Sequence, residues 1–360
     1  MSNTSDLQNF ISMSLFAGER FDLIQAGGGN TSVKLSKSEM LVKASGHLLS
    51  EVSENHGYVR VDLVKVKDIM NNSLVVNESD KRKREDLSSS LIMETITNAM
   101  ERDRPSIETF LHSFLYKFTL HTHPIVVNQL ACLKNGMDQL SELFPNAIIV
   151  DYKTPGIDLA IELKKECRNF SRQNGSLPKI VFLQNHGLII SSDCVNEVRK
   201  ITNDVITKLE NFLGVNYKKY RLTNKLSSIM NSHGIRSQVS YLSEDSYLQS
   251  ITKAKPNWIK SSPLCPDTLV FCGYKVVEIK DDEVEMAEYM DWYGKYPKVV
   301  LMDGYLFFIA SNIKKAKEAE EVFKAHLFTV EQIFDQQQSL ELEELQYLDN
   351  WKAEKFRQTI

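Results

Sequence analysis

Two histidines two residues apart, His121 and His123, sit in a segment of β-branched and aromatic residues: Phe118, Thr119, Ile125, Val126 and Val127. On a strand, such residues project from the same face, so both imidazoles can reach one ion. Glu108 stands thirteen residues before His121, in a run where Ile107, Phe110, Leu111 and Phe114 recur at helical spacing. Pro105 and Ser106 are expected to open that helix, with His112 one turn after Glu108 as structural support. A third imidazole, His186, follows the apolar, strand-like run Ile180 to Leu183. Three histidines and a carboxylate form the ligand set of a catalytic zinc or a similar divalent ion. Alone, His-x-His marks structural positions more often than metal sites, so the rest of the chain must decide.

A first helix capped by Ser5 should run to Gly18 and lead to the turn Gly27-Gly28-Gly29-Asn30-Thr31-Ser32. A strand with Met40, Val42 and Ala44 in alternation ends at a second small-residue turn, Ser45-Gly46. Residues 58–68 read as strand and turn, 71–86 as an exposed polar loop, and 87–100 as helix. Further strands are expected at 144–152 and 180–190, with helices at 126–132, 157–172 and 196–213. Residues 216–255 look like a polar, helical connection, and 263–273 like a strand after a proline-rich turn. Val299 to Ile309 carries a hairpin signal at Asp303-Gly304. A long helix from 313 to about 338 and a last one ending near Phe356 complete the pattern.

The charge run 80–86 nearly cancels, and the net charge of −4 gives no footprint for nucleic acid and no attraction to anionic membranes. No apolar run approaches the length of a membrane span. Five cysteines, without a Cys-x-x-Cys pair or a signal-like N-terminus, read as reduced thiols in a cytoplasmic protein.

Five motifs then fall in order: Gly27-Gly-Gly-Asn30-Thr-Ser32, Ser45-Gly46, Pro105-Ser106-x-Glu108-x-x-x-His112, His121-x-His123-Pro124 and Asn185-His186-Gly187. Together they resemble the class II aldolase/adducin family over roughly residues 5–215. Tyr152-x-x-Pro155-Gly156 and the C-terminal extension resemble its longer, rhamnulose-phosphate-aldolase-like branch. In that extension Pro-Asp is usually followed by His; here Thr268 takes the place, and no role carries over.

The resemblance implies His121, His123 and His186 as ligands of Zn2+, or of Mn2+ or Co2+, and Glu108 as the group that shuttles a proton on an enediolate carbon. Phe110 and Leu111 are expected to help raise the pKa of Glu108. It also implies that Asn30, Ser45, Gly46 and Ser106 bind phosphate, on turns that meet where the His-x-His strand begins. The expected architecture is a three-layer α/β/α domain at 1–215 around a mixed, largely antiparallel sheet, with a smaller α/β extension at 216–360. The expected activity is zinc-dependent aldol cleavage of a phosphorylated ketose or related sugar acid, in a cytoplasmic homotetramer. Dehydration, decarboxylation and 4-epimerisation on the same metal site are alternatives, although Glu108 disfavours the epimerase. A non-catalytic adducin-like scaffold is the alternative of another class; adducins have lost metal-binding histidines, whereas this chain keeps all three.

Overall fold

A computed structural model describes residues 2–97, 103–235, 238–280 and 284–351. The chain divides into two compact units, Met1–Tyr217 and Lys218–Ile360. The first contains strands β1 (Asn30–Lys34), β2 (Glu39–Lys43), β3 (Tyr58–Asp62), β4 (Phe118–Thr122), β5 (Ile148–Val150), β6 (Ile180–Leu183) and β7 (Gly187–Ser192). They form one sheet in the order β3-β2-β1-β4-β7-β6-β5. Neighbours are antiparallel except β5 and β6, so the sheet is mixed and largely antiparallel.

Its helices are α1 (Ser2–Gly18), α2 (Leu63–Ile69), α3 (Ser73–Val76), α4 (Lys81–Met93), α5 (Thr109–His112), α6 (Ile125–Ala131), α7 (Gly136–Leu143), α8 (Ile157–Asn174) and α9 (Val195–Leu213). The period-2 alternation of the strands sorts their side chains into two cores. Val33, Leu41, Phe118, Leu120, Leu188 and Ile190 pack with α1, α6, α7 and α9. Met40, Val42, Val59, Val61, Val181 and Ile189 pack on the other face with α2–α5 and α8. Two helical layers over one sheet are the three-layer α/β/α architecture expected from the resemblance.

Several local expectations change. The first helix starts at Ser2, before Ser5. The charged run 80–86 is no loop: Asp80 caps α4 by accepting from the Arg82 and Lys83 amides at 2.9 and 3.1 Å, and the run forms its exposed first turns. That helix ends at Met93; Ile96 bridges Val61, and the stretch to Met100 then leaves the described residues. Pro105 does not open a helix, because it bridges Ala44 beyond the end of β2. The Ser106 carbonyl accepts from Thr109, whose hydroxyl adds a second bond at 2.6 Å, so α5 begins one residue after Glu108.

The second unit builds its own sheet from β8 (Val239–Leu242), β9 (Val277–Ile279), β10 (Val299–Met302) and β11 (Tyr305–Ala310), in the order β8-β11-β10-β9. Its helices are α10 (Arg221–Ser232), α11 (Ser246–Ala254), α12 (Pro256–Ile259), α13 (Pro266–Cys272), α14 (Val284–Tyr293), α15 (Ile313–Ile333) and α16 (Leu342–Asn350). The connection expected at 216–255 therefore hides an edge strand. The strand expected within 263–273 is helix α13, started by Pro266 in its first turn with Asp267 beside the helix N-terminus. Residues 352–356 of the last expected helix lie outside the described residues. No helix among the described residues is long and apolar enough to cross a membrane.

Candidate metal centre

β4 ends rather than begins at the site, a correction to the sequence reading. Its partners are antiparallel, so the start of β1, the end of β2 and the start of β7 meet the end of β4 at one edge of the sheet. His121 lies opposite Asn30 on β1 and Ile189 on β7, and is fully buried. His186 occupies the tight connection between β6 and β7. Asn185 there takes a left-handed conformation (φ 53°), which asparagine tolerates better than most residues. Glycine is required at 187, because a Cβ would stand 2.3 Å from the Thr122 carbonyl and 3.0 Å from the His123 ring. Gly28 covers the same ring from the other side, where a Cβ would approach Nδ1 to 3.0 Å. Gly28 of the triplet thus makes room for a histidine. The loop before it is anchored by Arg20, fully buried, which donates to both Asp22 carboxylate oxygens (3.0 and 2.5 Å) and to Asn203 (2.6 Å). Carbonyls of Asp22 and Leu23 in turn accept from the amides of Ile125 and His123.

Three ring nitrogens and one carboxylate converge. His121 Nε2 lies 3.1 Å from His123 Nε2 and 3.2 Å from His186 Nε2. Glu108 Oε1 lies 3.3 Å from His121 Nε2 and 3.1 Å from His186 Nε2. Donors of a tetrahedral zinc with bonds of about 2.0–2.1 Å stand about 3.3–3.4 Å apart. His121 Nδ1, 3.0 Å from the Leu188 carbonyl, is placed to donate to it, leaving the Nε2 lone pair facing the cluster. Nitrogens this close need a proton or a cation between them, and the donor set fits a divalent ion.

Burial disfavours the charged form of Glu108, but the imidazoles of His121 and His186 more than offset this and hold its carboxyl well below the usual range. The expectation of a raised pKa from Phe110 and Leu111 is thereby reversed: the carboxylate is ionised and ready to face a cation. Burial lowers His121 and the Glu108 carboxylate raises it, with a net rise. Burial and the two neighbouring imidazoles bring His123 down to about 3, leaving it neutral.

The remaining sequence candidates gather at the same edge. Asn30 is fully buried, and neither atom of its amide has a hydrogen-bond partner among the described residues. Ser45 donates its amide to the Arg104 carbonyl at 2.8 Å, Gly46 follows with φ 86°, and Ser106 Oγ accepts from the Glu108 amide at 3.3 Å. Sequence reasoning missed Lys43, buried at the end of β2 with long contacts of 3.5 and 3.3 Å to the Gly27 and Ala44 carbonyls. Burial lowers its pKa, opposed by the charges of Glu108 and Glu51. A lysine closing the apolar run Met40-Leu41-Val42 just before Ser45-Gly46 was the available signal.

His112 underlies this edge, fully buried with Nδ1 2.8 Å from Ser32 Oγ, and burial brings its pKa down to about 3. The unfolded imidazole takes up its proton near pH 6.5. Between these values the unfolded chain binds more protons, so the neutral folded histidine makes stability fall as pH drops from about 6.5 towards 3. The stability difference between wild type and His112→Gln should therefore change with pH in this window by up to about 1.4 kcal/mol per unit. Urea midpoints taken across it check this, and a pH-independent difference would contradict it.

Residues 11–205 match the class II aldolase and adducin N-terminal domain family. An uncharacterized oxidoreductase, YuxG, of Bacillus subtilis (strain 168) is 25% identical over 278 residues, covering 68% of this chain and 38% of that protein. The chain thus spans well under half the length of that curated relative. Among solved structures, the N-terminal class II aldolase domain of a conserved protein from Thermoplasma acidophilum is 26% identical, with a TM-score of 0.47. That likeness covers 58% of this chain and 93% of the other. An L-fuculose-1-phosphate aldolase from Thermus thermophilus is 15% identical, with a TM-score of 0.36, covering 59% of this chain and 95% of the other. Matched over more than half its length and carrying the family's motifs at one sheet edge, the chain belongs to the class II aldolase and adducin N-terminal domain family.

Proposed function

We propose that this protein is a lyase that cleaves a phosphorylated ketose or a related sugar acid, with zinc as its divalent ion. The observation that carries the reading is the convergence of three imidazole nitrogens and the Glu108 carboxylate, all four donor atoms within 4.8 Å of one another. His121, His123 and His186 would hold the ion, leaving a position open for substrate as catalytic sites do. Bound there, the ion supplies Lewis acidity, polarising the carbonyl and offsetting the charge that develops as the carbon–carbon bond breaks. Glu108, on the rim of the cluster, moves the proton to and from the enediolate carbon. Asn30, Ser45, Gly46 and Ser106 hold the phosphate, and the Lys43 ammonium adds a positive charge at the same edge. The retained histidines favour an enzyme over a scaffold.

Metal-loaded protein screened against phosphorylated ketoses and sugar acids, with products identified by NMR, tests the reading. An aldehyde and a three-carbon phosphate are expected. A dehydrated or decarboxylated product would assign another reaction to the same site, and no turnover of any member would overturn the enzymatic reading. Asn30→Ala should raise KM for the phosphorylated substrate about 10- to 100-fold, the worth of one hydrogen bond to a charged group, without releasing metal. An unchanged KM would reduce the cradle to a set of turns.

A further inference from the structure

The sheet has a second chemically distinctive edge. β1 runs from Asn30 at the metal centre to Lys34, about 13 Å away at the rise of a strand. Beyond Lys34 opens a cleft of about 790 Å³, within the range of small-molecule sites. Four lysines line it, Lys34, Lys37, Lys67 and Lys117, against one carboxylate, Asp193. Lys117 is already paired with Asp6 at 2.8 Å, and Asp193 Oδ1 accepts from the Lys117 amide at 3.2 Å. Among the described residues Lys34, Lys37 and Lys67 have no carboxylate within ion-pair distance.

Lys34 Nζ donates to the Leu115 and Tyr116 carbonyls, the latter at 3.0 Å, which fixes its ammonium at the cleft wall. Burial and then the charge of Lys67 bring its pKa down to about 7, with Asp193 opposing. Positive charges held together at a low-dielectric wall attract an anion more strongly than the same charges spread over a surface. Leu35, Leu63, Phe114 and Leu115 add apolar surface to the lining. A bare inorganic anion would leave that apolar surface unused.

We propose that this cleft binds a small phosphorylated organic molecule, its phosphate among Lys34, Lys37 and Lys67 and its body against Phe114 and the leucines. The site is separate from the metal centre and does not depend on the reaction proposed there.

Pyridoxal 5′-phosphate is a suitable probe, having a phosphate, a flat aromatic ring and an aldehyde. A neutral lysine amine adds to the aldehyde and expels water to form an imine, and added borohydride donates the hydride that fixes it as a secondary amine. Peptide mapping of the full chain should place the adduct on Lys34, Lys37 or Lys67. It should form at least about tenfold faster than with 5-deoxypyridoxal, which lacks the phosphate and cannot close to an internal hemiacetal as pyridoxal does, equivalent to about 1.4 kcal/mol. The ratio of the two rates cancels any change in the protonation of the lysine itself. Lys67→Gln, at a partly exposed position, should lower the ratio at Lys34 by about threefold or more. Equal rates for the two aldehydes, adducts confined to lysines elsewhere, or a ratio unmoved by Lys67→Gln would each overturn the proposal.

Discussion

Glu108→Gln is expected to leave the fold and the bound metal in place while lowering turnover by about two to four orders of magnitude, the range for a positioned acid–base group. The amide keeps the shape of the side chain but can neither accept nor return a proton. The fold should tolerate it because Glu108 precedes α5 and makes no side-chain cap to that helix. Metal should persist because three imidazoles remain. Single-turnover measurements on metal-loaded protein, with the metal content of wild type and variant matched, give the comparison. Turnover close to wild type would make Glu108 no more than the residue at a helix start.

The second large effect is on stability. Arg20 is fully buried, and its charge is met by both oxygens of Asp22, itself 1% exposed. Removing one member of a buried pair strands the other charge, so Arg20→Ala should cost about 3–5 kcal/mol. For a domain of this size that corresponds to a fall in Tm of roughly 6–20 °C. The loss should also reach the metal, since the segment held by Arg20 supplies the carbonyl that accepts from the His123 amide. Thermal melts of apo and zinc-loaded forms separate the two consequences. A variant as stable as wild type would show that the surroundings neutralise Asp22 without the guanidinium.

The clustering of the candidate ligands was legible only in part. Strand parity suggested that His121 and His123 face the same way, although β4 ends at Thr122, and the strand expected over 180–190 is in fact two strands, β6 and β7, joined by the turn that carries His186. The meeting of these histidines was not legible, because it depends on the antiparallel pairing of β4 with β7 across 66 residues, which no local pattern encodes. The family motifs supplied that link. The glycine triplet shows the same limit: flexibility was evident, but the need for space beside the His123 ring is a tertiary fact. The direction of the Glu108 shift was misjudged because Phe110 and Leu111 were visible in sequence while the facing imidazoles were not. In the second unit, Val239-Ser-Tyr-Leu was too short to stand out as a strand until β11 paired with it. Leu269-Val-Phe read as extended until Pro266 and Asp267 were weighed as a helix start.

The central claim is that His121, His123 and His186 hold a catalytic divalent ion. Elemental analysis of the purified protein, before and after reconstitution with zinc, manganese or cobalt, tests it most directly. About one ion per chain is expected, most tightly zinc, and His121→Ala, His123→Ala and His186→Ala should each lose metal and activity together. A protein that takes up none of the three metals, or histidine variants that keep a full equivalent, would contradict the account.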